Sequence, residues 1–130
     1  GGGAPGPVTN LNAEIYYPPY LYKRGGSGKP ATRPDITLAP KKIAWNRSFK
    51  VNLKSSSPIS RVTFVRAGSS THSLNVDQRF MELKFTKLNN RTIRVVGPTD
   101  VNIAPPGYYM MFIFDRNRVP SVAKLIHLQS

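Results

Sequence analysis

The sequence holds no cysteine, two histidines, six acidic residues and one tryptophan, and none of its apolar runs approaches the length of a bilayer-crossing helix. Each shortage removes a class of chemistry. Without cysteine the chain can form no disulfide, no thiolate metal cage and no thiol nucleophile. This leaves its compartment open, because many secreted β domains manage without disulfides. His72 and His127 are too few to build a zinc or copper site within the chain unless carboxylates join them. The acids are spread along the chain, against the paired carboxylates of a glycosidase, and no nucleophile elbow frames a serine. The glycine-rich stretch 25–29 lacks the spacing and strand-to-helix setting of a phosphate loop, and it reads as a flexible connection.

What is abundant is positive charge. Lysine and arginine number 19 against the six acids, giving a net charge of +13. Such a surface attracts nucleic acid, anionic polysaccharide, acidic lipid or an acidic neighbouring domain, or it simply keeps a β-rich domain soluble. Outside Lys23-Arg24 and Lys41-Lys42 the charges are scattered singly. The pattern favours a diffuse basic surface over a dedicated nucleic-acid tract, so nucleic acid is not the expected partner. At 130 residues the chain suits one domain, which buries roughly two thirds of the surface exposed when unfolded. A core without covalent staples is therefore attainable.

Residues 1–12 have the glycine- and proline-rich composition of a flexible linker, and 13–130 form the expected domain. Residues 13–17 are β-prone and stop at Pro18-Pro19, which suits an edge strand, since proline cannot donate to a ladder. Tyr16, Tyr17, Tyr20 and Tyr22 could stack on sugars or bases, but packing this segment onto the body is the favoured reading. Apolar residues alternate at Phe49, Val51 and Leu53, at Met81, Leu83 and Phe85, and at Ile93 and Val95, as in half-buried strands. Residues 61–66 also read as a strand. Residues 108–114 are apolar throughout and predict a central strand covered on both sides. Residues 122–128 close the chain as a strand rather than a short helix. Seven or eight short strands with proline and glycine punctuation, and no helical period, predict an all-β immunoglobulin-like β-sandwich, with Trp45 in or beside its core.

Between the strands at 61–66 and 80–85 runs the stretch 69–79, where polar, charged and metal-competent residues come together. A loop clamped at both ends can hold one side chain away from the body, and His72 is the residue to hold out. Taken alone, a histidine in such a turn is more often solvated than ligating.

Five motifs then fall in one order. They are Glu14-Ile15 with Pro18-Pro19-Tyr20-Leu21, Arg33-Pro34, Thr71-His72-Ser73 with Asp77-Gln78-Arg79, Ala104-Pro105-Pro106-Gly107-Tyr108-Tyr109-Met110, and Val119-Pro120-Ser121. In order and spacing the chain from about residue 13 to 128 resembles the C-terminal early-set (E-set) domain of the galactose oxidase and glyoxal oxidase family of copper-radical oxidases. The resemblance implies an E-set, immunoglobulin-like sandwich following a kelch-type propeller in the same protein. It implies that His72 is one copper ligand, that the remaining ligands come from the propeller, and that Asp77, Gln78 and Arg79 support the ligand or brace its loop. It further implies a secreted, periplasmic or cell-surface setting. Complete proteins of this kind oxidise a primary alcohol or aldehyde with dioxygen and release hydrogen peroxide. The domain alone is expected to lack catalytic residues and to hold no cofactor, since one imidazole gives no chelate. Arg116-Asn117-Arg118 departs from the family pattern, which carries a glycine before Val-Pro-Ser. An alternative from a different class is a non-catalytic carbohydrate- or polyanion-binding or spacer module.

Overall fold

The computed structural model describes residues 14–71 and 74–130; the linker expected at 1–12 lies outside them. Two layers, antiparallel but for one strand pair, face each other. The first holds β1 (Asp35–Leu38), β3 (Ser48–Lys54), β9 (Thr92–Val96) and β8 (Phe85–Asn89), in the order β1-β3-β9-β8. The second holds β2 (Lys42–Ile43), β11 (Lys124–Leu128), β10 (Gly107–Asp115), β4 (Ile59–Arg66) and β7 (Phe80–Leu83), in the order β2-β11-β10-β4-β7, with β2 parallel to β11. The expected all-β E-set sandwich is what forms, with nine strands in its two sheets rather than seven or eight. The extra strands are short, and two-residue β2 carries no alternation to read.

The period-two residues of both sheets meet in the middle. Val51, Leu53, Ile93 and Val95 from one layer are fully or almost fully buried against Val62, Phe64, Tyr109, Met111, Ile113 and Ile126 from the other. The Phe64 and Tyr109 rings stack at 5.6 Å between centroids. Burying side chains of this size contributes about 1.5–3 kcal/mol each before the cost of ordering the chain. Trp45 packs at the edge of this core and donates its indole N–H to the Ala104 carbonyl at 2.8 Å.

Three expectations need correction. The alternation at Met81, Leu83 and Phe85 is not one strand: the chain leaves the five-stranded sheet at Lys84 and continues in the other, where the Lys84 carbonyl accepts from Val96 N–H at 2.9 Å. The pattern survives the switch because both sheets face the same core. β10 lies between β11 and β4 as a central strand, but only its inner residues are fully buried. Phe112 and Phe114 are half-buried along a groove of about 860 Å³, in which the Arg61 guanidinium lies 5.9 Å from the Phe80 ring and 6.0 Å from the Phe114 ring. Finally, residues 14–17 join no strand; a 3₁₀ turn follows at Pro19–Leu21, and Tyr16, Tyr17 and Tyr20 are exposed instead of packed down. Their β propensity finds no neighbouring strand with which to pair, and Pro18 and Pro19 supply no donors.

Candidate functional site

The stretch 69–79 is more regular than a loop. β5 (Ser69–Thr71) and β6 (Leu74–Val76) pair antiparallel, with Ser69 opposite Val76, Ser70 opposite Asn75 and Thr71 opposite Leu74. The two residues between them in sequence are His72 and Ser73, which lie outside the described residues. Leu74 and Val76 are exposed on β6. A short two-stranded ribbon has little stability of its own, so its orientation depends on how its base is tied.

That base is well tied. Asp77 follows β6 in the left-handed region, at φ 61°, which aspartate tolerates better than most residues. Its carboxylate accepts from Arg66 Nε at the end of β4. Arg66 also donates from one terminal nitrogen to the Tyr109 hydroxyl at 3.0 Å and to the Pro105 carbonyl at 3.1 Å, and Tyr109 itself donates to Pro105 at 2.8 Å. One guanidinium therefore joins β4, β10, the segment before β10 and the exit of the hairpin. Burial works against the charge on Arg66, but hydrogen bonds to Tyr109 and Asp77, and the attraction of both, outweigh it and raise its pKa above the ordinary value.

Gln78 donates its side-chain amide to the Asn75 carbonyl at 2.8 Å, inside the hairpin. Arg79 Nε lies 3.5 Å from the second Asp77 oxygen without forming a hydrogen bond, so that contact is coulombic only. The Arg79 carbonyl accepts from Arg66 N–H at 2.9 Å. Asp77, Gln78 and Arg79 are thus gathered at the hairpin's foot. His127 is far from such a role: it stacks on Tyr108, ring centroids 4.5 Å apart, on the outer side of the β10–β11 pair.

Among the described residues no group of three or more His, Cys, Asp or Glu comes together to hold a metal ion. The described residues thus assemble no copper shell of their own, and one imidazole would need ligands from elsewhere.

Arg66 is the residue that sequence reasoning missed. Its signal was present: Arg66 falls in phase with Val62 and Phe64, the core-facing side of β4, and an arginine placed there must find partners. The other motifs prove to be halves of contacts. Arg33 donates to the carbonyls of Pro120 and Ser121 at 2.8 and 2.6 Å, so the Arg-Pro and Val-Pro-Ser motifs meet. The Ala-Pro-Pro-Gly-Tyr-Tyr segment offers Ala104 to Trp45 and Pro105 to Arg66.

The profile described as "Galactose oxidase-like, Early set domain" matches residues 33–128. The chain belongs to this family. The galactose oxidase of Gibberella zeae is 35% identical over 130 residues, covering 98% of this chain and 19% of that protein. An aldehyde oxidase of Arabidopsis thaliana is 32% identical, covering 92% of the chain and 21% of that protein. Among solved structures, a fungal alcohol oxidase of the AA5 family in complex with copper superposes with a TM-score of 0.79 and 28% identity, over 87% of this chain and 24% of that one. The human TIG domain of nuclear factor of activated T-cells, cytoplasmic 4, matches at TM-score 0.51 and 15% identity, over 79% of this chain and 93% of that one, a likeness of fold alone. The galactose oxidase-like chain thus spans about a fifth of the length of these oxidases.

Proposed function

We propose that this early-set domain is the C-terminal accessory part of a copper-dependent alcohol or aldehyde oxidase, and that it supplies His72 as one ligand to a copper centre completed by an N-terminal kelch-type propeller. The observation that carries the reading is the two-stranded hairpin on either side of His72, tied at its foot through Asp77 to Arg66. The resemblance to copper-bound and galactose-oxidising relatives supports the metal.

Copper, when bound, supplies the redox chemistry. The residues of this chain have a narrower task. His72 offers a neutral imidazole nitrogen, Asp77 and Arg79 fix the returning strand, and Gln78 ties the hairpin to itself. Exposed Leu74 and Val76 give the ribbon an apolar flank that a covering domain would remove from water. A secreted, periplasmic or cell-surface location accompanies this reading.

Peroxide release by the longer protein, given Cu(II) and either a primary alcohol or an aldehyde, tests it. Wild type is expected to turn over and His72→Ala to be inactive; equal peroxide yield from both would remove His72 from the copper shell.

A further inference from the structure

The outer face of the four-stranded sheet has a charge pattern that the oxidase reading leaves unused. Along β3 the outward residues are Ser48, Lys50, Asn52 and Lys54, alternating with buried Val51 and Leu53. Lys50 stands directly opposite Arg94 of β9, and Arg94 opposite Thr86 of β8. Two like charges facing each other across a ladder weaken the sheet that carries them. Neither has a neutralising acid: the three ion pairs among the described residues are Arg61–Glu82, Arg66–Asp77 and Arg79–Asp77, all elsewhere. The one carboxylate on this sheet, Asp35, is opposite Lys54 at the edge and forms no ion pair with it.

At that end the face dips into a hollow of about 770 Å³, lined by Lys54 and Arg91 together with Thr37, Asn52, Leu53, Asn89 and Thr92. Apart from Leu53, cations and amide- or hydroxyl-bearing residues line it, and the two phenylalanines of these strands, Phe49 and Phe85, pack toward the core instead. The face therefore offers no ring on which a nucleic-acid base could stack. Lys50 and Lys54 are roughly 13 Å apart along the strand, the reach of a polymer rather than of a single ion.

We propose that this face binds an anionic polysaccharide, its carboxylate or sulfate groups meeting Lys50, Lys54, Arg91 and Arg94 and its hydroxyls meeting the Asn and Thr side chains. This site is separate from the hairpin and does not depend on copper. Charge complementarity selects an anionic ligand, and the Asn and Thr residues among the cations offer partners to the hydroxyls of a polysaccharide.

Titration of the 130-residue chain with polygalacturonate, with heparin, with neutral dextran and with oligothymidylate tests the proposal. Two triple variants, each lowering the net charge from +13 to +10, separate the face from overall charge: Lys50→Gln, Lys54→Gln and Arg94→Gln together, against Lys23→Gln, Arg24→Gln and Lys124→Gln together. At low salt, wild type is expected to bind at least one of the two acidic polysaccharides and not dextran. The face variant is expected to weaken that binding by about tenfold or more and the control variant by less than about twofold. In wild type the bound polysaccharide should also shield Lys50 and Lys54 from acetylation. Equal loss in both variants, unprotected lysines, no binding to either polysaccharide, or tighter binding of oligothymidylate would each overturn the proposal.

Discussion

Arg66 shares the core-facing side of β4 with Val62 and Phe64, yet its guanidinium ends on Asp77, the residue at which the hairpin returns to the sandwich. Together with the Arg66 N–H bond to the Arg79 carbonyl, this contact couples the orientation of β5 and β6 to the strand pair at the centre of the five-stranded sheet. A double-mutant cycle with Arg66→Met and Asp77→Asn measures it. The Asp77 side chain is 41% exposed, so the expected coupling is that of a partly screened pair, about 1 kcal/mol in denaturant unfolding. Because the Arg66 pKa is raised, its contribution is fully present below the ordinary arginine value and lost only as pH rises through the folded value. The coupling should therefore stay constant between about pH 7 and 9. Strict additivity of the two substitutions would show that Arg66 does not hold the hairpin through Asp77.

Gly107 lets β10 begin close beneath that guanidinium. Its φ is 143°, and a Cβ placed there would come within 3.1 Å of an Arg66 nitrogen. Gly107→Ala is expected to cost about 1–3 kcal/mol through backbone strain and displacement of Arg66. Gly26→Ala provides the comparison, since Gly26 also has positive φ, at 73°, but nothing lies within 4 Å of its would-be Cβ. Thermal unfolding should rank Gly107→Ala well below Gly26→Ala in stability; equal losses would mean that the close approach to Arg66 has no energetic consequence.

Arg118 sits at φ 66° in the turn after β10, where Asp115 accepts from Val119 N–H at 2.9 Å. This is the position at which the resemblance leads one to expect glycine. Left-handed backbone costs a non-glycine residue about 1 kcal/mol or slightly more, part of which glycine gives back through its freer unfolded chain. Arg118→Gly should raise the midpoint of chemical denaturation, by up to about 1 kcal/mol in stability. A lowered midpoint would mean that the Arg118 side chain contributes more than its backbone costs.

The sandwich was legible because alternation reports which residues face a core, and at β3 and β9 it did so directly. It could not report which sheet a strand joins. At Lys84 the chain changes sheets without interrupting the pattern, and at β10 an unbroken apolar run accompanies a groove rather than a second covered face. Propensity misled at residues 14–17, where strand formation needed a partner that the fold does not provide. The stretch 69–79 was legible as a place and as a set of residues. Its pairing into β5 and β6 and its tie to Arg66 were not, because both depend on contacts between segments that only the folded chain brings together. The basic residues likewise looked dispersed in sequence. Period-two spacing on neighbouring strands gathers Lys50, Lys54 and Arg94 onto one face.

The most direct test of the oxidase reading is the Cu(II) electron paramagnetic resonance spectrum of the longer protein, recorded for wild type and His72→Ala at matched copper loading. Loss of one nitrogen's superhyperfine coupling in the variant, with the denaturation midpoint unchanged, is the predicted result. An identical spectrum from both proteins would contradict the assignment of His72 to the metal.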